Sequence, residues 1–309
     1  MPRAVVFESY GGPEVLNVVD VPRPEPEPGQ IRVRVTAAGL NPYDSKVRSG
    51  AMSGGKPITR PRRVGTDFAG VIDGFGGHSD LFTGGERVVG QATGAAADFV
   101  LATAEKLVVL PDHVDDVTGA AIGVVGTTAV RTLGLVDLQP GQVLLLHAAA
   151  GGVGSFVTQL AVERGATVIG TASAANQDYL RSLGAVPVVY GDGWVERVRA
   201  VLDRPDGPDQ VDAVIDAAGR GVVEGSLTLV RDGGPIVTIA DFAASGPNVH
   251  VSTGGEPGFE HALVDAVAAV SRGAVTVRVA ATYPLEQVRE AFTDVDGGSS
   301  TGKVVLTLG

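Results

Sequence analysis

The 309-residue chain contains no cysteine. That absence removes disulfides, thiolate nucleophiles and thiolate-bound zinc together. Cationic residues are scarce: 24 Lys and Arg against 35 Asp and Glu leave a net charge of −11. Binding a phosphate backbone needs clustered Lys and Arg, so nucleic acid is not an expected partner. No uninterrupted apolar run reaches the roughly 18 residues of a membrane span. The opening MPRAVVFESYGG also lacks the long apolar stretch of a signal peptide. No membrane partnership is expected, and the expected compartment is the cytoplasm. The five histidines, His78, His113, His147, His250 and His261, are scattered singly, without helical spacing between any two. Metal sites need several convergent ligands, so no metal is predicted.

Glycine, by contrast, is placed informatively. Val143 to Gly154 reads VLLLHAAAGGVG, an apolar run closing in small residues, and an amphipathic stretch follows from Ser155 to Arg164. This is the pattern of a buried parallel strand, a tight turn and a helix start, whose unpaired amides favour a phosphate. Gly151 and Gly154 fit the sharp turn and close helix–strand packing, and Gly152 fits the approach of a pyrophosphate. Ala149 stands at the first position of the G-x-G-x-x-G pattern, so the match is a variant. The next strand, TVIG at Thr167–Gly170, continues through Thr171 and Ser173 to Asn176, with no acid before Asp178. A carboxylate at that strand end would grip a free ribose 2′-hydroxyl and repel a 2′-phosphate. Its absence favours NADP over NAD.

The texture of the chain changes along its length. Residues 1–118 show strand candidates bounded by Gly or Pro: Ala4–Phe7, Ile31–Gly39, Ala69–Ile72, Arg87–Val89 and Leu107–Val109. The alternation in IRVRVTAAG predicts a half-buried strand. From about Gly119, strands alternate with helices. The strands are Val143–Leu146, Thr167–Ile169, Val186–Val189, Ala213–Ile215 and Pro235–Ile239. The helices are Ser155–Arg164, Gln177–Leu183, Val195–Leu202 and Val222–Val230. Such βαβ alternation predicts a parallel sheet wound on both faces. Phe259–Arg272 reads as a further helix, and the tail returns to strands ending in Lys303–Leu308. The segment Asp241–Gly258 reads as a long, mobile loop. Within it NVHVS, Asn248–Ser252, alternates and carries little charge, as an edge strand open to pairing would.

Five ordered blocks carry a specific likeness: AAGLNPYDSKVRSG (Ala37–Gly50), GTDFAGVI (Gly65–Ile72), GERVVG (Gly85–Gly90), the AAAGGVG turn and TGKVVL (Thr301–Leu306). In these the chain resembles the zinc-free, zeta-crystallin-like quinone oxidoreductase branch of the medium-chain dehydrogenase/reductase superfamily. The resemblance implies an α/β fold: a Rossmann doubly wound parallel sheet over 119–265, and a GroES-like β-barrel catalytic domain formed by 1–118 with 266–309. It implies NADPH in the cleft between them. It also implies a homodimer in which edge strands at Asn248–Ser252 pair across a two-fold axis. Where zinc-dependent relatives place a cysteine and a His–Glu pair, this chain has Asn41, Thr66 and Asp67, and no cysteine-rich lobe follows Gly90.

Without a Lewis acid, the reaction must suit an electron-poor conjugated acceptor. A quinone or an enone fits, as does an enoyl thioester of polyketide type. Hydride attack then places charge on a remote carbonyl oxygen, which hydrogen-bond donors can stabilise. The resemblance points to Asn41 as the first such polar group. Tyr43 is either a donor or a packing wall, and Asp44 braces the loop with Lys46 or Arg48 rather than moving protons. Thr128, in the block Gly126–Ala129, is expected to reach the nicotinamide or to cap a helix. The coenzyme set is completed by Ala149, Gly151, Gly152, Val153, Gly154, Thr171, Ser173, Asn176 and Tyr190. Arg181 is a further candidate for the 2′-phosphate, since the lysine of many relatives near Gln177 is missing. Ala217, Ala218, Ile239, Ala240 and Phe242 follow the fourth and fifth strands, where ligands of open α/β sheets lie. A protein that holds NADPH without useful turnover is the reading of a different class. Retention of Asn41, Thr66 and Thr128 argues against it.

Overall fold

Short apolar strands bounded by Gly and Pro build the first of two units into which the chain divides. This unit comprises Met1–Val125, Leu263–Ser271 and Val277–Gly309, and the second comprises Gly126–Ala262 and Arg272–Thr276. The structure, a computed structural model, describes residues 1–205, 210–298 and 301–309. The first leg runs β1 (Arg3–Phe7), β2 (Asn17–Asp20), β3 (Gln30–Leu40), α1 (Pro42–Ser49), β4 (Arg62–Arg63), β5 (Asp67–Phe75), β6 (Arg87–Gln91), β7 (Phe99–Thr103), β8 (Leu107–Val109) and α2 (Asp116–Ala120). It leaves through α3 (Gly123–Leu135), inside which the units divide. The sequence boundary at 118/119 falls earlier. Val124 stays with the first unit because its amide donates to Asp67 Oδ1 at 2.9 Å.

The second unit alternates as far as its fifth strand, after which β14 follows β13 directly: β9 (Val143–His147), α4 (Gly152–Glu163), β10 (Thr167–Ala172), α5 (Gln177–Ser182), β11 (Val186–Val189), α6 (Trp194–Leu202), β12 (Ala213–Asp216), α7 (Val222–Leu227), β13 (Ile236–Thr238) and β14 (Val249–Val251). All six strands are parallel, in the order β11-β10-β9-β12-β13-β14. The order reverses beside β9, which defines a switch point between β9 and β12 where an open sheet receives a ligand. The interior is a cluster of β-branched residues and Leu, including Leu145, Ile169, Val198, Val214 and Ile236. The helix expected from Ser155 begins at Gly152, with Gly151 as its N-cap, so the glycines form its first turn.

The chain returns to the first unit through α8 (Ala262–Ser271), β15 (Val279–Pro284), α9 (Val288–Gly297) and β16 (Lys303–Thr307). The tail is therefore not all strand. α9 buries Val288, Ala291 and Phe292 on one face, a spacing that suits a helix. β15 and β16 complete a seven-stranded sheet in the order β15-β16-β3-β5-β6-β8, with β7 also on β3. β3 is buried along most of its length rather than half-buried, because β16, β5 and β7 all pair with it. β1, β2 and β4 form a second, three-stranded sheet, and Phe7, Phe68 and Phe292 meet in the shared core. Among the described residues no helix is long and apolar enough to cross a membrane.

Candidate functional site

In the second unit the glycine turn is built as close packing requires. Ala148 adopts a positive φ of 55° where β9 ends, and Gly151 N donates back to Ala148 O at 3.0 Å. A Cβ on Gly154 would lie 2.2 Å from Ala148 O and 2.6 Å from Ala149 Cα, so only glycine lets α4 sit this close to the turn. Ala149 is buried and its amide is held by Thr171 O at 3.0 Å. The first-turn amides of Gly152, Val153 and Gly154 have no carbonyl four residues back within the helix, which leaves them to an anion. These residues fit a dinucleotide pyrophosphate.

At the end of β10, Asn176 Nδ2 donates to Ser173 Oγ at 3.1 Å, so a hydroxyl and an amide meet where an acid was absent. Tyr190 directly follows β11, and its amide donates to Ala172 O at 3.0 Å, which sets its exposed ring beside that strand end. Arg181 is turned to Asp178 at 2.5 Å on the surface of α5 instead. Thr171 is buried, its hydroxyl meets His147 Nδ1 at 3.1 Å and its carbonyl is the one that holds Ala149 N, so its hydroxyl is spent inside the unit. Two residues escaped the sequence reading. Gln177 Nε2 donates to the carbonyls of Ala172, Ser173 and Val188, joining the ends of β10 and β11. Arg197 donates to the carbonyls of Val189, Tyr190 and Gly191 and fixes the segment that displays Tyr190.

On the far side of the switch point, Asp216 ends β12 and Thr238 ends β13, both fully buried. The backbone of Ala217, Ala218, Ile239 and Ala240 follows directly, and Phe242 is exposed beyond. Thr128 lies inside α3, so it is not a helix cap, and its carbonyl accepts from Thr132 Oγ1 at 2.9 Å. The supposed mobile loop is tied at its far end. Glu256 accepts from the amides of Thr253 (2.9 Å) and Gly254 (3.1 Å), and Arg131 Nε lies 3.2 Å away. Burial alone would raise the Glu256 carboxyl, but these bonds, a further one from Ser252 and the Arg131 charge together hold it down at about 2.

The first unit carries a buried polar cluster at the start of α1. Asn41 N donates to Asp44 Oδ2 at 2.9 Å in a capping box, and Thr66 Oγ1 donates to Asp44 Oδ1 at 2.8 Å. Asp44 therefore braces the loop through Asn41 and Thr66. Arg48 turns instead to Gly11 O at 3.1 Å and Asp296 at 2.6 Å. Asn41 Nδ2 donates to Asp67 Oδ2 at 2.9 Å, while its Oδ1 accepts from Lys303 Nζ at 2.5 Å. With both ends of its amide engaged and only 1 % of its surface exposed, Asn41 orients the cluster rather than offering a donor to a ligand. Tyr43, two residues on in α1, is exposed.

Lys303 places the cluster's cation, donating also to Leu40 O at 2.9 Å and lying 3.5 Å from Asp67 Oδ2. Burial pushes its ammonium down, and the charges of Asp67 and Asp44 oppose that shift. Burial, and then the Asp67 carboxylate, push the Asp44 carboxyl up to about 6. Asp67 Oδ1 further accepts from Val124 N, with Gln91 Nε2 at 3.3 Å. Among the described residues no group of three or more His, Asp or Glu is placed to hold a metal ion.

This architecture agrees with known proteins. Residues 27–131 match the alcohol dehydrogenase GroES-like domain, and residues 183–306 match the zinc-binding dehydrogenase family. The quinone oxidoreductase of Pseudomonas aeruginosa is 32% identical over 99% of this chain and 99% of its own. The pikromycin polyketide synthase component PikAII of Streptomyces venezuelae is 33% identical over 92% of this chain but 8% of its own. The solved structure of Escherichia coli quinone oxidoreductase complexed with NADPH superposes with a TM-score of 0.87 at 27% identity, covering 99% of this chain and 100% of that one. Asn41, Thr66 and Asp67 are each already engaged: Asn41 donates to Asp67, Thr66 donates to Asp44, and Lys303 donates to Asn41. On full-length identity, domain matches and fold together, the chain belongs to the zinc-free quinone oxidoreductase branch of the medium-chain dehydrogenase/reductase superfamily.

Proposed function

We propose that the chain is an NADPH-dependent, metal-independent reductase that delivers a hydride to a quinone or an α,β-unsaturated carbonyl. The observation that carries this reading is the end of β10, where the Ser173 hydroxyl and the Asn176 amide stand together in place of a carboxylate. The names of the Pseudomonas aeruginosa and Escherichia coli relatives support the acceptor class. When bound, the reduced nicotinamide supplies the hydride. The chain's own part is to hold and orient. The α4 amides hold the pyrophosphate, and Ser173, Asn176 and Tyr190 meet the 2′-phosphate. The backbone at 217–218 and 239–240, with Phe242 and Thr128, meets the nicotinamide half. Tyr43 donates to the acceptor's carbonyl oxygen as charge builds there, and Asn41 fixes the start of its helix. Solvent supplies the proton that completes the hydroquinone or saturated carbonyl.

The polyketide synthase relative favours a second reading, with an enoyl thioester as acceptor. Oxidation of NADPH across quinones, enones and enoyl thioesters, with and without a strong chelator, separates the readings. Turnover on quinones or enones, unaffected by chelation, is expected. Turnover on thioesters alone would favour the second reading, and coenzyme binding with no turnover on any of them would leave a binding protein.

Coenzyme choice gives a sharper test. Ser173→Asp would place a carboxylate against the 2′-phosphate and is expected to weaken NADPH binding by about 1–3 kcal/mol, reversing the preference. Equal affinity of the unaltered protein for NADH and NADPH would overturn the reading of this pocket.

We also propose that the protein is a homodimer. Among the described residues β14 ends the six-stranded sheet with β13 as its one neighbour, and such an edge invites a second copy across a two-fold axis. Light scattering at micromolar concentration should give twice the 31.4 kDa chain mass, whereas a monomer mass would rule the pairing out.

A further inference from the structure

We infer that Asp216 and Thr238 form a clamp that sets the spacing of the two strand-end loops receiving the nicotinamide half of the coenzyme, which makes both of them positioning residues. The inference rests on the coenzyme reading above. A sheet of this order binds a dinucleotide as two halves, one on each side of the switch point. Ser173, Asn176 and Tyr190 belong to the β10–β11 side, which leaves the loops after β12 and β13 for the other half.

Four backbone amides of those loops converge on two side chains. Asp216 Oδ1 accepts from Ala218 N at 2.8 Å and Gly219 N at 2.9 Å. Its Oδ2 accepts from Thr238 Oγ1 at 2.8 Å. The same Thr238 oxygen accepts from Ala240 N at 3.2 Å and Asp241 N at 3.0 Å. One hydroxyl thus links the loop after β12 to the loop after β13, and its single proton must point at Asp216. The loops already touch: a Cβ on Gly219, whose φ is +68°, would lie 3.3 Å from Ala240 O. Both side chains are fully buried, so water cannot replace either bond without opening the sheet end. A carboxylate held only by neutral donors is a costly choice for a core. An apolar pair would fill the same space but could not hold four amides. The clamp leaves the outer faces of residues 217–218 and 239–240 to a ligand while their inner faces are fixed.

Calorimetric titration with NADPH and with adenosine 2′,5′-bisphosphate, which carries only the adenosine half, tests the clamp. Thr238→Val removes the linking hydroxyl and is expected to raise the Kd for NADPH about 10- to 30-fold. The bisphosphate affinity should stay within about 2-fold, because its pocket lies across the switch point. Thr238→Ser keeps the hydroxyl and should restore NADPH binding. Asp216→Asn gives a milder form of the same split, since its amide would donate to Thr238 and leave the threonine proton without its acceptor. Equal weakening of both ligands would mean a merely structural role and would overturn the inference, as would unchanged NADPH binding in Thr238→Val. If the unaltered protein bound neither ligand, the coenzyme reading itself would fail.

Discussion

Lys303→Met is expected to destabilise the first unit by about 3–5 kcal/mol, the cost of leaving a buried charge without its partner. The ammonium is the cation shared by Asp67 and Asp44, with 5 % of its side chain exposed against 0 % for Asp67. Once it is gone, Asp67 keeps neutral donors: Asn41 Nδ2, Val124 N and a longer contact from Gln91. Two carboxylates then face each other in a dry site. Asp44 already sits at about 6 with the lysine in place, and loss of the lysine's attraction must push it higher. A folded-state value above the unfolded one means that stability falls as pH rises through the window from about 4 to 6. The penalty of Lys303→Met should therefore be larger at pH 8 than at pH 5. Hydrogen exchange of the β3, β5 and β16 amides reads this unit separately from the other. Adding Asp67→Asn should recover at least half of the loss, because it removes the orphaned charge. A loss below about 1 kcal/mol, or a double variant no more stable than the single, would show that the ammonium does not hold the cluster together.

How this cluster escaped the sequence shows what local pattern can carry. Lys303 and Asn41 are 262 positions apart, and no periodicity links them. The available signal was slight: one acid, Asp67, opening the apolar run FAGVI, and one lysine opening the apolar strand KVVL. Asp44 and Arg48 stand four apart on α1, the spacing of a surface ion pair. Yet Asp44 is the third residue of its helix and is consumed by the capping box, while Arg48 is drawn to Asp296 on α9, a helix not foreseen. The second unit was far more legible. Strands buried on both faces, glycine turns and amphipathic helices recur there in order, and β9 to β13 fall on the expected segments. NVHVS proved to contain the edge strand β14. Coenzyme residues displayed by the backbone could be read from that alternation. Side chains that turn inward could not, as Thr171 shows by giving its hydroxyl to His147.

His147 was one of five scattered histidines, and in the folded chain it is expected to resist protonation until pH falls to about 4. It ends β9 fully inside the second unit, and burial lowers its pKa to about 4. The bonds fix its tautomer. Ser226 Oγ donates its one proton to Val222 O at 2.8 Å, so at 3.0 Å it can only accept from His147 Nε2. Nδ1 is then the acceptor, taking the Thr171 hydroxyl proton. A protonated ring would have two donors facing a site built for one. The unfolded chain takes up this proton near 6.5 and the folded one only near 4. The second unit should therefore lose about 3 kcal/mol as pH falls across that window, and regain it as pH rises. The sign is opposite to that of Asp44 in the first unit, so the two units carry opposing slopes from these groups. Trp194, the chain's single tryptophan, lies edge-on to the imidazole at 4.7 Å and reports on it directly. Its fluorescence should be quenched with a midpoint near pH 4, and His147→Gln, which keeps a donor and an acceptor, should abolish that transition. The variant should also flatten the acid dependence of urea unfolding followed at Trp194, closing on the unaltered protein as pH drops. A quenching midpoint near 6.5 would mean that the ring is reached by water and protonates like an exposed histidine.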